Sequence, residues 1–362
     1  AGYNAGGGDG AIGIGNDALR TNTADGSVAI GRDAGYSQTS GIGNTNLGYQ
    51  AGYTNTTSHG NTNIGYQANY DGTGSFNTTV GHLAGENLTS GENNTLIGKG
   101  SGDSITTGGK NVAIGFEALG SAAIGMASTV AIGYQAGLSA AAGNNIHIGN
   151  ESGKSNSGNG FIAVGLKSGY SNTSGSWNTT LGYFAAYTNT TGGENTTIGT
   201  EAGYNNTGTG NTFLGYQAGY NQTTGSNNTV IGHDAEPSAV TVSDEITLGD
   251  ASIATLRCQV TSITALSDKR DKENIQPSTY GLDLVNKLKP VTYDWNTRDG
   301  AKVGVKDLGF IAQDLQEIDN ENLKLVYDSN PEKLEASYGR LIPVLVKAIQ
   351  DLSAKVKELE NK

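Results

Sequence analysis

A branched apolar residue followed by glycine returns every 16 or 17 residues from Gly15 to Gly249, and this period limits the fold more than any other feature of the chain. One step departs: Gly115 to Gly133 takes 18 residues and encloses an additional Ile124-Gly125. The repeat is clearest at Asn211–Tyr220 (NTFLGYQAGY) and Asn61–Tyr70 (NTNIGYQANY). Such a period suits one coil of a β-solenoid or β-roll, expected to hold two strands of about five residues with turns of Gly, Asn and Thr. The Ile or Leu before each glycine, and the Ala three residues after it, are the expected interior. A glycine in every coil marks either a positive φ or a close approach of neighbouring chains. The fifteen phased glycines correspond, at about 4.8 Å per coil, to a shaft on the order of 70 Å long. Phased tyrosines such as Tyr49, Tyr53, Tyr66, Tyr216 and Tyr220 read as a stacking ladder between coils rather than a sugar-binding face. The Asn-x-Thr triplets read as a by-product of the repeat.

At 362 residues the chain has room for two or three domains, yet 56 glycines and 35% hydrophobic residues are not the composition of an ordinary globular protein. The 5 prolines and the lack of a glycine triplet exclude collagen. Phasing over about 230 residues opposes a disordered linker. So few large apolar residues per coil leave a single chain short of burial, which three chains around an axis would supply, so a homotrimer is expected. The net charge of −12 disfavours nucleic acid and anionic membranes, and no apolar run is long enough to span a bilayer. The lone Cys258 cannot form an intrachain disulfide, and His59, His82, His147 and His233 stand apart, so neither metal nor cofactor is expected. The chain opens in mid-repeat without a methionine, and a fragment of a longer protein is the expectation.

Near Ser267 the composition changes: 51 of the 56 glycines precede it, while 32 of the 56 charged residues follow. The expected domains are a repeat shaft at 1–235, a tapering β end at 236–266 that includes Glu245–Gly249 and Leu256–Ala265, and a second domain at 267–362.

Ser27–Gly31 (SVAIG), Asn111–Gly115 (NVAIG) and Thr129–Gly133 (TVAIG) resemble the head repeats of trimeric autotransporter adhesins, although the period here is longer. The resemblance implies trimeric β-rolls. A second resemblance begins at Ser267–Ile275 (SDKRDKENI), which is similar to the S-D-x-R-x-K-x-x-I start of the intramolecular chaperone auto-processing domains that end phage tail fibres, tailspikes and endosialidases. Tyr280–Trp295, Gly309–Asp314 (GFIAQD) and Tyr338–Leu352 follow the same pattern. It implies a small α+β domain in which Ser267 is the nucleophile and Lys272 its general base, cutting the Ser267–Asp268 bond. A lysine must be neutral to take a proton, and burial or nearby cations favour that state. Lys269 and Arg270 push towards it, Asp268 and Asp271 against.

The final helix spaces Ile342, Leu345, Ile349, Leu352, Val356 and Leu359 as a heptad stripe. Its β-branched and Leu positions favour dimers in isolation, whereas the shaft and the resemblance imply three strands. The alternative is a single amphipathic helix packed on its own domain. Together these readings give a mainly β chain: a trimeric β-roll or β-solenoid shaft, then a small α+β chaperone domain ending in a coiled-coil helix. The implied function is a phage tail fibre in the virion, directed at a host cell-surface receptor, glycans included. Its last domain drives trimerisation and then cleaves itself off. The alternative is a bacterial surface adhesin using the same chaperone. A polysaccharide-degrading tailspike would need grouped carboxylates, and the 17 acidic residues before Ser267 are scattered.

Overall fold

Each glycine that ends the repeated word is forced by its neighbours in space. From Gly15 to Gly232 the φ angles lie between 132° and 141°, outside the reach of a side chain. A Cβ at Gly31 would come within 2.4 Å of the Gly48 carbonyl oxygen, and the same clash recurs along the column. The close approach is therefore between successive coils of one chain. In the computed structural model, which describes residues 9–253, 255–257, 267–298, 300 and 302–362, this column forms one edge of a solenoid.

Every coil contributes one strand of three residues, from β1 (Ile12–Ile14) to β15 (Ile246–Leu248). The fifteen strands form a single parallel sheet in sequence order. Neighbours pair in register, as Val28↔Thr45 and Ile30↔Leu47 do. The expected pair of five-residue strands per coil is not formed: the rest of each coil is turns, with αL residues recurring two positions after the glycine, as at Asp33, Gln50 and Gln67.

Three-residue strands decide what is inside. Side chains alternate across a strand, so only the middle residue can point inward. Ala29, Asn46, Leu96, His147 and Phe213 hold that place and are buried. The Ala three residues after glycine is buried as expected, at Ala34, Ala51 and Ala68 for example. The Ile or Leu before glycine is not interior: Ile14, Ile30, Leu47, Leu181 and Leu214 are exposed, because they flank the inward position. The 18-residue step keeps β7 (Val112–Ile114) and β8 (Val130–Ile132) paired in register. Its extra residue bulges in the turn, where Ile124 is exposed and its carbonyl accepts N–H bonds from Thr106, Thr107 and Gly108.

A core so thin is largely polar. At the residue before most strands runs a column of buried asparagines that bridge coils. Asn111 Oδ1 accepts the Thr129 N–H at 3.1 Å, while its Nδ2 donates to the Met126 carbonyl at 2.9 Å. Asn61, Asn77, Asn94, Asn195 and Asn211 make the same pair of contacts to the next coil. Apolar stretches alternate with this ladder, the largest running from Leu88 to Ala140. Outside, the tyrosines stack as expected: Tyr36, Tyr53 and Tyr70 lie 5.0 Å apart between ring centres.

Contacts divide the chain after Asp250, so the shaft includes the coil of β15, part of the segment expected to taper. Residues 258–266, most of the expected strand Leu256–Ala265, lie outside the described residues. In the second unit, α1 (Leu282–Val285) is followed by an antiparallel hairpin of β16 (Val291–Asn296) and β17 (Val303–Gly309). Then come α2 (Ala312–Gln316), the short pair β18 (Val326–Tyr327) and β19 (Glu335–Ala336), and α3 (Leu341–Glu360). Pro343 falls in the first turn of α3, where its missing N–H breaks no helical bond. Leu315, Leu323, Leu325, Leu341 and Val344 make the core, with Tyr280, Leu284 and Phe310 packed against it. No helix among the described residues is long and apolar enough to cross a membrane.

Replacing Asn111 with Ala would orphan the buried Thr129 N–H and Met126 carbonyl, and is expected to cost about 2–4 kcal/mol, measured as a shift in chemical denaturation. A second expectation concerns His147, buried in β9 (Ile146–Ile148) with neither ring nitrogen hydrogen-bonded. Burial lowers its pKa from 6.5 to about 4. The unfolded chain takes up the proton first, so this group's contribution is complete above about pH 6.5. It is lost as pH falls towards 4, with about 3 kcal/mol at stake. Thermal melts should show a smaller loss over that window for His147→Val than for the wild type.

Candidate functional site: the Ser267–Lys272 turn

Asp268 starts the local structure. Its side chain accepts the Arg270 N–H and caps a 3-10 turn, Lys269–Asp271. That turn reverses the chain, and the Lys272 N–H returns to the Lys269 carbonyl at 3.2 Å. Residues 267 and 272, five apart in sequence, are thereby brought together. Lys272 Nζ donates to Ser267 Oγ at 2.5 Å and lies 3.4 Å from the Ser267 carbonyl oxygen. The hydroxyl and the amine expected to act as a pair are in contact, and the amine also sits beside the carbonyl of the Ser267–Asp268 bond.

The charged neighbours sort differently from the sequence-based expectation. Arg270 is clamped onto Asp268, with Nη2 to Oδ2 at 2.6 Å. That contact holds the Asp268 carboxyl below the ordinary carboxylate range and raises the Arg270 guanidinium. Ser267, Lys269, Arg270, Asp271 and Lys272 are all exposed. A single chain thus assembles the pair without excluding water from it. Among the described residues no group of His, Cys, Asp and Glu could hold a metal.

The other motif words have structural work. In Tyr280–Trp295, Gly281 leaves room for Asp351 of α3, since a Cβ there would meet Oδ2 at 2.2 Å. The Leu282 N–H donates to the same carboxylate at 3.4 Å, tying α1 to α3. In GFIAQD, Gly309 makes space for the Tyr338 hydroxyl, which accepts the Phe310 N–H at 3.1 Å. On α3, Leu341, Val344 and Ala348 face the unit's own core. The heptad residues Ile342, Leu345, Ile349, Leu352, Val356 and Leu359 are 44–69% exposed. The helix does pack on its own domain, but with a different face from the stripe.

Residues 267–324 match the family model described as the chaperone of endosialidase, so the chain carries such a domain at its C-terminus. The curated relatives are viral. A long tail fiber protein Gp37 of Enterobacteria phage K3 is 40% identical over 97 residues, covering 26% of this chain and 8% of the relative. The protein of the same name from Enterobacteria phage T2 is 40% identical over 97 residues, with 26% and 7% covered. The match thus spans less than a tenth of these relatives' length. No solved structure matches the chain.

If the turn positions the dyad, Asp268→Ala removes both the cap and the Arg270 clamp. Cleavage should then slow at least about tenfold on a denaturing gel time course, with the domain fold retained by circular dichroism.

Proposed function

We propose that the chain is part of a trimeric phage tail fibre whose C-terminal domain brings three copies into register and then cuts itself off. The observation that carries this reading is an aliphatic row left uncovered among the described residues. Every strand from Ile14 to Leu248 ends in Ile, Leu or Val on the outer face, while the chaperone unit separately exposes the heptad stripe of α3. Scattered exposed apolar residues are normal, but an unbroken row across fifteen coils marks an interface. Identical rows on parallel copies cover one another, and a heptad stripe is covered in the same way. The relatives named as long tail fiber proteins favour a virion over a bacterial surface adhesin.

In the cleavage step, a neutral Lys272 takes the Ser267 Oγ proton as the oxygen adds to the carbonyl of the scissile bond, then passes it to the departing amide nitrogen as the C–N bond breaks. Water then hydrolyses the ester left on Oγ, giving a carboxylate and restoring the hydroxyl. The amine beside the Ser267 carbonyl supports cleavage of the Ser267–Asp268 bond. Desolvation that favours a neutral amine is missing in one chain, where Lys272 is exposed; neighbouring copies would supply it. Cutting then follows assembly, and the interlocked shaft persists through a kinetic barrier. The target is a host cell-surface receptor.

Wild-type protein should yield a shaft and a piece of about 95 residues. Ser267→Ala and Lys272→Ala should remain full length and scatter light as about three times 37.1 kDa. Ile114→Asp and Ile349→Asp should each weaken the trimer. A folded wild-type protein of one chain mass overturns the trimer; one that trimerises yet stays intact overturns the protease.

A further inference from the structure

The geometry points to a saccharide platform at Trp177, with a second at Phe76, each stacking its open ring face on a pyranose of a surface polysaccharide. Both residues occupy the turn position two before a strand, where φ is +61°. That left-handed conformation favours Gly, Asn or Asp, and other coils place Gly43, Asn93, Asn144 and Asn227 there. A bulky apolar residue is costly in such a conformation unless packing offsets it. Leu19 and Leu119, also left-handed, are 0% exposed and repay the strain by burial. Trp177 is 64% exposed and Phe76 is 60% exposed, so burial within the chain does not account for them.

Their rings are nevertheless held. A Cβ on Gly160, one coil earlier, would stand 2.4 Å from Trp177 Cε3 and 2.5 Å from Cζ3; Gly60 stands in the same relation to Phe76 at 3.0 Å. Each aromatic therefore rests one side on a glycine backbone and offers the other to solvent. The shaft tyrosines differ: stacked 4.9–5.2 Å apart, as Tyr49, Tyr66 and His82 are, they cover one another's faces. Hydrogen-bonding groups lie beside each platform. The Ser176 hydroxyl accepts the Asn159 N–H at 3.1 Å, and Asn144 Nδ2 reaches Asn159 Oδ1 at 3.3 Å. Near Phe76, Ser75 Oγ accepts the His59 N–H at 3.1 Å. An apolar ring face with neighbouring amides and hydroxyls suits a sugar, whose C–H face stacks while its hydroxyls bond at the rim. A partner protein chain fits less well, because the same column carries Lys110, Ser128 and Glu194 in other coils and is no continuous apolar row.

The inference rests on the tail-fibre reading for the source of the sugar, a bacterial surface. The test uses the full chain with Ser267→Ala on an array of immobilised bacterial O-antigen and capsular oligosaccharides. Trp177→Asn keeps the turn, as Asn93 and Asn144 do in their coils, and removes the ring. It should lower binding to the captured oligosaccharide by about tenfold, with Trp177→Phe losing less and Trp295→Phe unchanged. Mass by light scattering should stay the same, and thermal stability should not fall. No oligosaccharide captured, or capture indifferent to Trp177→Asn combined with Phe76→Asn, overturns the platform. Loss of the trimer in Trp177→Asn also overturns it, by making the ring an interchain contact. A single-chain mass in the parent protein instead counts against the fibre itself, and is read separately from sugar capture.

Discussion

The buried asparagine that joins one coil to the next is the contact on which the shaft depends. A coil with one inward residue per strand cannot enclose enough hydrocarbon to hold itself closed, and its turns carry backbone groups that water cannot reach. Asn94 meets both difficulties, with Oδ1 accepting the Asn111 N–H and Nδ2 donating to the Gly108 carbonyl. Burying an amide is unfavourable unless its bonds are made, and here they are made to the adjacent coil. Cohesion therefore runs along the axis, coil to coil, as in other solenoids whose stability is a sum of neighbour terms. Where the column has Phe161 in place of asparagine, an aromatic ring fills the interior: Phe161 is fully buried and lies against Gly169.

That chemistry explains what could be read from the sequence. The period, the parallel coils and the buried Ala after each glycine were legible, because glycine recurs only where backbone meets backbone. The side of the sheet on which the aliphatic row lies was not. Ile30 and Leu47 were expected inside because they are the largest apolar groups in their coils, yet strand alternation around Ala29 and Asn46 turns them outward. The signal lay in the asparagines. Asn44, Asn61, Asn77, Asn94 and Asn111 each fall four residues before the glycine, too regular for composition alone. In the second unit the family words located Ser267 and Lys272. The cap by Asp268 and its grip on Arg270 depend on side-chain directions that a pattern does not encode.

A shaft built from near-identical neighbours has a weakness in assembly. In the proposed trimer, sliding one copy past another by a single coil would leave most of the fifteen coils still facing a near-identical partner, so burial alone would discriminate poorly between registers. The irregular coil would carry the missing information. The 18-residue step with its exposed Ile124 bulge occurs once, and in the proposed fibre it would make a slipped pairing imperfect. In the proposed fibre, a unit at the end of the chain that fixed register before the rows closed would be the direct remedy, and it would need to act only once.

The exposure of Ser267 and Lys272 fits that single use. A base that was desolvated in every free chain would cut before three copies had been compared, and the register information would leave with the released domain. The Lys272 Nζ contact with Ser267 Oγ at 2.5 Å is made within one chain, across the turn that Asp268 caps. In the proposed mechanism, what one chain lacks is a dry environment, which packing against other copies would provide. Geometry encoded locally and desolvation supplied by neighbours would divide the reaction into a prepared state and a permitted one. In that proposal the order, register first and scission second, would follow from burial and require no timing device.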